Sequence, residues 1–200
     1  MTLLLLGSSA ASADQRFLLE TGLVNPLPGW IEFCKNDPSE CVADPRPPTV
    51  IRWTRENMLV LAWVNHQVNR NIVPMTDEAQ WGVADRWSYP IHGIGDCEDY
   101  VLEKRRLLIE RGFPVQALLI TYVKEFGSGG HAVLMIRTDD GDYVLDNQHK
   151  GLLRWNETPY PYRSRQSSDD PNVWVMLSPP PPPIINLKVT VVGLPEAHSK

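Results

Sequence analysis

Three residues of this 200-residue chain have the chemistry of a covalent catalyst and occur in a workable order: Cys97, His131 and Asp146. A thiol nucleophile needs a base to take its proton and a third group to orient that base. Cys97 lies in "GIGDCEDYVLEKRRLLIERG", residues 93–112, which reads as a glycine turn followed by an amphipathic helix. At a helix N-terminus the dipole favours the thiolate, and the N–H of Cys97 itself is the first candidate for an oxyanion hole. Against this, Asp96, Glu98 and Asp99 crowd the thiol with negative charge, which discourages ionisation. Either Cys97 is inert and the acids are helix caps, or something cationic answers the charge.

Taken singly, each residue has a plainer reading. A lone helical cysteine is more often a small core residue; His131 could begin a surface strand, and Asp146 could end one in a turn. Their order, their strand placement and an unpaired cysteine in an exported chain bring the combination level with these readings, and spacing alone goes no further.

The elements that carry them are legible. Asp96 is placed as N-cap, Asp99 as its capping-box-like partner and Gly112 as the C′ residue of the helix. "PVQALLITYV" (114–123) is dense in β-formers and reads as a strand, and "EFGSGG" as a flexible loop. Residues 131–138 and 142–147 flank Asp139-Asp140-Gly141, which predicts a β-hairpin. A two-residue loop puts Asp146 on the face of His131, roughly 7 Å along the strand. A three-residue loop puts them on opposite faces unless a bulge intervenes. The sequence leaves both open.

Upstream, Met58, Leu61, Val64 and Val68 form one apolar stripe, predicting a helix over residues 49–71 that ends before Pro74. Residues 75–92 read as loop or broken helix with Trp81 and Trp87 to bury. Residues 14–48 are proline-rich and aperiodic, giving loop with a short strand. "NVWVML" (172–177) is a further strand, preceded by a polar loop containing "RSRQSSDD". The run "SPPPPP" (178–183) marks a boundary, because prolines cannot continue a sheet; "IINLKVTVV" beyond it is strand-like. The fold class is α+β.

A hydrophobic share of 42%, a charged share of 22% and a net charge of −5 describe one ordinary globular domain. The densest basic stretch, "EKRR", falls within a helix and reads as a solvated face, so no nucleic-acid partner is expected. Ala11-Ser12-Ala13 has the small-x-small pattern of a signal-peptidase site, with Asp14 as first mature residue. The apolar run Leu3 to Leu6 is short and lacks a basic n-region, so residues 1–13 are expected to be a truncated signal peptide. No stretch approaches the roughly 20 apolar residues of a membrane span. In an exported chain Cys34 and Cys41, with six residues between them, are expected to pair, leaving Cys97 as the odd thiol. The expected organisation is signal 1–13, domain 14–177, proline-rich tail 178–200.

"GDCEDYVLEKRRLLIERGFP", "GHAVLMIRTDDGDYVLDN" and the upstream "DRW" (Asp85 to Trp87) resemble the bacterial transglutaminase-like cysteine proteinases, over approximately residues 30–177. The resemblance implies a papain-like fold with the catalytic helix packed on an antiparallel sheet. It implies Cys97 as nucleophile, His131 as base and Asp146 as orienting carboxylate. It also implies Ca²⁺ held by Asp96 and Glu98, with Asp99 a further ligand or only a cap. As activity it implies a periplasmic endopeptidase processing a large surface adhesin in biofilm control, governed by an inner-membrane regulatory receptor. The enzyme is expected to be a monomer. Two alternatives stay open: a non-catalytic module that binds calcium or a peptide, and a transglutaminase that passes the acyl group to an amine.

Overall fold

The computed structural model describes residues 15–90, 92–125, 127 and 129–179, so the expectations for the signal segment and for the tail beyond 179 lie outside it. In chain order the elements are β1 (Leu19–Val24), α1 (Pro28–Asn36), α2 (Arg55–Asn71), β2 (Val73–Pro74), α3 (Asp77–Trp81), β3 (Ile94–Gly95) and α4 (Cys97–Glu110). There follow β4 (Leu118–Glu125), β5 (Gly129–Thr138), β6 (Gly141–Leu145), β7 (Leu153–Arg154), β8 (Tyr162–Gln166) and β9 (Trp174–Ser178). Seven strands form one sheet in the order β1-β9-β8-β4-β5-β6-β7, with antiparallel neighbours throughout.

Alternation along the strands gives the sheet two apolar faces. Leu118 and Ile120 of β4 and Leu134 and Ile136 of β5 meet the helices, which contribute Leu61, Val64 and Val68 from α2 and Val101 and Leu108 from α4. The intervening residues Leu119, Val123, Val133, Met135 and Val144 form a second cluster with Val175, Leu177, Leu18 and Trp155. Each fully buried side chain of this kind contributes about 1.5–3 kcal/mol by leaving water.

Three expectations hold closely. The 3.6-residue stripe is the buried face of α2, although the helix starts later than predicted, with Thr54 accepting the Asn57 N–H as N-cap. Met58, at the outer end of the stripe, is exposed. Cys34 and Cys41 are disulfide-bonded, with Cα atoms 5.7 Å apart. The hairpin takes the two-residue turn, pairing Thr138 with Gly141 and Leu134 with Leu145.

Other expectations are corrected. The aperiodic stretch 14–48 contains a helix, α1, with Pro28 at its first turn, where a missing N–H costs nothing. The polar loop before the last strand contains β7 and the interior strand β8. In β8 the buried Arg165 is answered by Glu20 at 2.6 Å and Asp142 at 3.6 Å. Trp87 is buried, but Trp81 stays exposed and stacks under the Arg86 guanidinium at 4.2 Å.

A small second sheet positions the site. β2 and β3 pair in parallel, Val73 with Ile94 and Pro74 with Gly95, and the Met75 N–H reaches the Gly95 carbonyl at 3.0 Å. This clasp closes residues 75–93 into a loop whose ends meet beside the N-terminus of α4. The Tyr100 hydroxyl, bonded to the Ile72 carbonyl at 2.7 Å, pins the helix to the same junction.

Candidate active site

Cys97 opens α4, so its backbone N–H lies outside the intrahelical ladder and is free to face a ligand. The half-buried thiol accepts the Ala132 N–H of β5 at 3.4 Å and donates to the Glu98 carboxylate at 3.1 Å. Burial, followed by the Glu98 charge, pushes the thiol well above its ordinary pKa. The objection raised by the sequence is therefore real: these side chains alone disfavour the thiolate.

His131, almost wholly buried, lies near the start of β5. Its Nε2 is 2.9 Å from Asp146 Oδ1. Because an ionised carboxylate only accepts, Nε2 carries the proton and Nδ1 is left as the basic nitrogen. Glu125 Oε1 lies 4.0 Å from that Nδ1. Asp146 stands one residue beyond the end of β6, not within the strand as predicted, and the Asn69 side chain holds its carbonyl at 2.7 Å. Burial raises the Asp146 pKa, but hydrogen bonds from His131, Tyr160 and the Gln148 amide outweigh it and leave the carboxyl below its usual range.

Cys97 and His131 open into one cleft of about 190 Å³. Leu27, Pro28, Trp87, Tyr122 and Gly130 give it apolar walls, and Asp85 and Glu98 are its acidic groups. A β-carbon on Gly130 would run into the Tyr122 ring, so glycine is needed where the strand borders the cleft.

The acids around Cys97 do not cap α4. Asp96 occupies the N-cap position without a side-chain cap bond; its Oδ2 accepts the Asp77 N–H at 3.2 Å instead. Asp99 Oδ1 accepts the Ser88 N–H at 2.9 Å. Both acids thus hold the clasped loop, and that loop adds carboxylates of its own. Ligand atoms of Asp77, Asp96 and Asp99 lie within 4.8 Å of one another, as do those of Asp77, Asp85 and Glu98. Burial, then like charge, pushes Glu98 up to about 9. Burial is also the main cause that raises Asp96 and Asp77 and carries Asp99 up to about 7.

The structure therefore brings together the six residues singled out in the sequence, Cys97, His131, Asp146, Asp96, Glu98 and Asp99. It adds Asp77, Asp85 and Tyr160, which sequence reasoning missed as site residues. Asp85 lay within the quoted "DRW"; Asp77 carried no signal beyond the Thr76-Asp77-Glu78 helix start.

A cysteine at a helix N-terminus, set against an antiparallel sheet that carries the histidine, with the aspartate just past the end of the next strand, defines a transglutaminase-like cysteine protease. The profile of the bacterial transglutaminase-like cysteine proteinases (BTLCP) matches residues 21–180, and the chain belongs to that family. No curated protein matches the chain. Among solved structures, calcium-bound LapG of Legionella pneumophila is 23% identical with a TM-score of 0.52, over 62% of this chain and 71% of LapG. A second LapG structure is 24% identical with a TM-score of 0.52, over 62% and 69%. EGTA-treated LapG is 23% identical with a TM-score of 0.52, over 64% and 74%. The likeness to these structures is one of fold.

Proposed function

We propose that the protein is an exported, calcium-dependent endopeptidase that cleaves a large surface adhesin through Cys97, His131 and Asp146. The observation that carries the reading is the 2.9 Å His131–Asp146 bond, which leaves Nδ1 basic in the cleft that also contains Cys97. In this mechanism Nδ1 takes the thiol proton as Sγ attacks the scissile carbonyl carbon. The oxyanion so formed accepts a hydrogen bond from the Cys97 N–H. Asp146 stays ionised and stabilises the imidazolium. His131 then protonates the leaving amine, a thioester remains on Cys97, and water deprotonated by His131 hydrolyses it.

The acidic cluster fits a calcium ion. Asp77 Oδ1, Asp96 Oδ1 and Asp99 Oδ2 are buried and have no hydrogen-bond partner among the described residues, and hard carboxylate oxygens suit calcium. Gly95 leaves the space that the Asp99 carboxylate occupies, which a β-carbon would fill. The expected ligands Asp96 and Glu98 fall in different acid groups that share Asp77, so the ion would be held by Asp77 and Asp96 with Asp99, or by Asp77 and Glu98 with Asp85. Bound there, Ca²⁺ would supply positive charge beside a thiol whose nearest side-chain partner is the Glu98 carboxyl group. That calcium-bound LapG has been solved supports the reading.

Periplasmic location draws support from the Cys34–Cys41 disulfide, a bond of oxidising compartments. The adhesin substrate and the inner-membrane regulatory receptor rest on the family resemblance. The test compares surface proteins released by cells carrying wild-type enzyme with those carrying Cys97→Ala. A large fragment released only by the wild type supports the proposal; equal release by Cys97→Ala overturns it. Incorporation of an added amine at the cleaved carbonyl would show acyl transfer in place of hydrolysis.

A further inference from the structure

We propose that Tyr160 is a positioning residue of this site: its hydroxyl fixes the second oxygen of Asp146, and its ring packs beside the His131 imidazole. The proposal rests on the reading of Cys97, His131 and Asp146 as the catalytic groups.

The two oxygens of Asp146 are held differently. Oδ1 is shared by His131 Nε2 at 2.9 Å and the Gln148 N–H at 3.0 Å. Oδ2 accepts the Tyr160 hydroxyl at 2.6 Å, and His149 Nε2 lies farther off, at 3.8 Å. A carboxylate bound only through Oδ1 could still rotate about its Cβ–Cγ bond. A short bond at Oδ2 removes that rotation and so sets the plane of the imidazole. Burial and the neighbouring Asp146 push the phenol far above its ordinary range, so it remains a donor. The Tyr160 ring lies 5.5 Å from the His131 ring, centroid to centroid, tilted by 55°.

The segment bearing Tyr160 is built to hold it still. Pro159 and Pro161 flank it, and a residue before proline is confined to extended conformations. The Pro161 carbonyl accepts the Lys124 N–H at 3.0 Å, tying the segment to the end of β4. On the other side the Thr158 hydroxyl bonds the carbonyl of the buried Trp155 at 2.7 Å. A phenol delivered from a segment anchored at both ends loses little further freedom when it binds the carboxylate. Besides His131, Tyr160 and His149, the charged groups acting on this pocket are Lys104, which feels the Asp146 charge from within the core, and Glu125 beside His131 Nδ1.

The test uses Tyr160→Phe, which removes only the hydroxyl, and Tyr160→Ala, which also removes the ring, both with the intact chain in calcium. Two quantities are read: the rate of Cys97 alkylation by iodoacetamide, and the downfield proton resonance of His131 Nε2, assigned by its loss in His131→Gln. Tyr160→Phe is expected to slow alkylation about tenfold and shift the resonance while the melting temperature stays near wild type. Tyr160→Ala is expected to broaden the resonance by exchange with water. A merely structural tyrosine would lower the melting temperature and leave the resonance in place. Wild-type alkylation and an unmoved resonance in Tyr160→Phe would overturn the proposal while the catalytic reading stands. Slow alkylation of the wild type, together with turnover by Cys97→Ala, would instead overturn the catalytic reading, and this proposal with it.

Discussion

The Cys97 thiol donates its hydrogen to the carboxylate of Glu98, its neighbour in the chain, at 3.1 Å. The same carboxylate belongs to one of the two acid groups that share Asp77. Cys97 and the proposed calcium site are therefore in direct hydrogen-bond contact, so what happens to the acids is felt by the thiol.

The first expectation follows from the crowding of buried carboxylates. Calcium at a hundredfold excess over its dissociation constant would stabilise the fold by about 2.7 kcal/mol, a rise in melting temperature of roughly 5–10 °C for a domain of this size. Thermal unfolding in EGTA and in calcium measures it. The rise should shrink in Glu98→Gln, and an unchanged melting temperature in all four combinations would count against the site.

The second concerns Asp146. Asparagine has nearly the same shape, but it carries no charge and can offer His131 Nε2 either an acceptor or a competing donor. Asp146→Asn should lower kcat/KM by about 10³–10⁴-fold through the wrong tautomer and a less stable imidazolium. Folding should be retained, checked by circular dichroism beside the kinetic assay.

Lys104 gives a pH prediction. It is fully buried on α4, and its Nζ has no hydrogen-bond partner among the described residues. Burial lowers its pKa to about 7 from 10.5, and the Asp146 charge opposes the fall only in part. Between those values the unfolded chain binds a proton that the native state does not, so this lysine's contribution to stability improves as pH rises. Its destabilising effect is fully present below about pH 7 and gone above about 10.5. The unfolding free energy of wild type minus that of Lys104→Met should climb by about 1 kcal/mol per pH unit across the window. Denaturant titrations at several pH values decide it, and a flat difference would be evidence against a neutral buried lysine.

The disulfide gives the fourth. In the chain-entropy picture a link across so short a span as Cys34 to Cys41 is worth about 2–3 kcal/mol. The double variant Cys34→Ser/Cys41→Ser should lose that much by urea unfolding while Cys97 alkylation is unaffected. A larger loss would mean that α1 and the turn after it depend on the link for more than chain entropy.

The parts legible in the sequence were those whose signals are local. The α2 stripe, the Gly112 stop of α4 with φ at +83° and the Asp139-Asp140 turn each depend on residues within a few positions of one another. β8 was hidden because hydropathy cannot see a buried charge. Arg165 makes "YRSRQ" look like surface, yet Glu20 and Asp142, far away in the chain, neutralise it. Asp77 and Tyr160 were hidden for the same reason of distance. Asp77 joins the site through the β2–β3 pairing, and Tyr160 through a proline-flanked segment with no periodic signature. The acids beside Cys97 were visible, but the competing cap reading falls only when their oxygens are seen bonded to Asp77 and Ser88.

The clasp between β2 and β3 bears on the topology of cross-linking. Asp77 and Asp96 stand 19 residues apart in the chain, one in the excursion and one at the helix that follows it. An ion gripping both would join two distant points of the chain, as a disulfide does, and closing a loop of about 20 residues is worth roughly 3 kcal/mol on the same chain-entropy reckoning. The protein would then carry two staples of different permanence. Cys34–Cys41 is set once by oxidation, and the other would be set continuously by the free calcium around it.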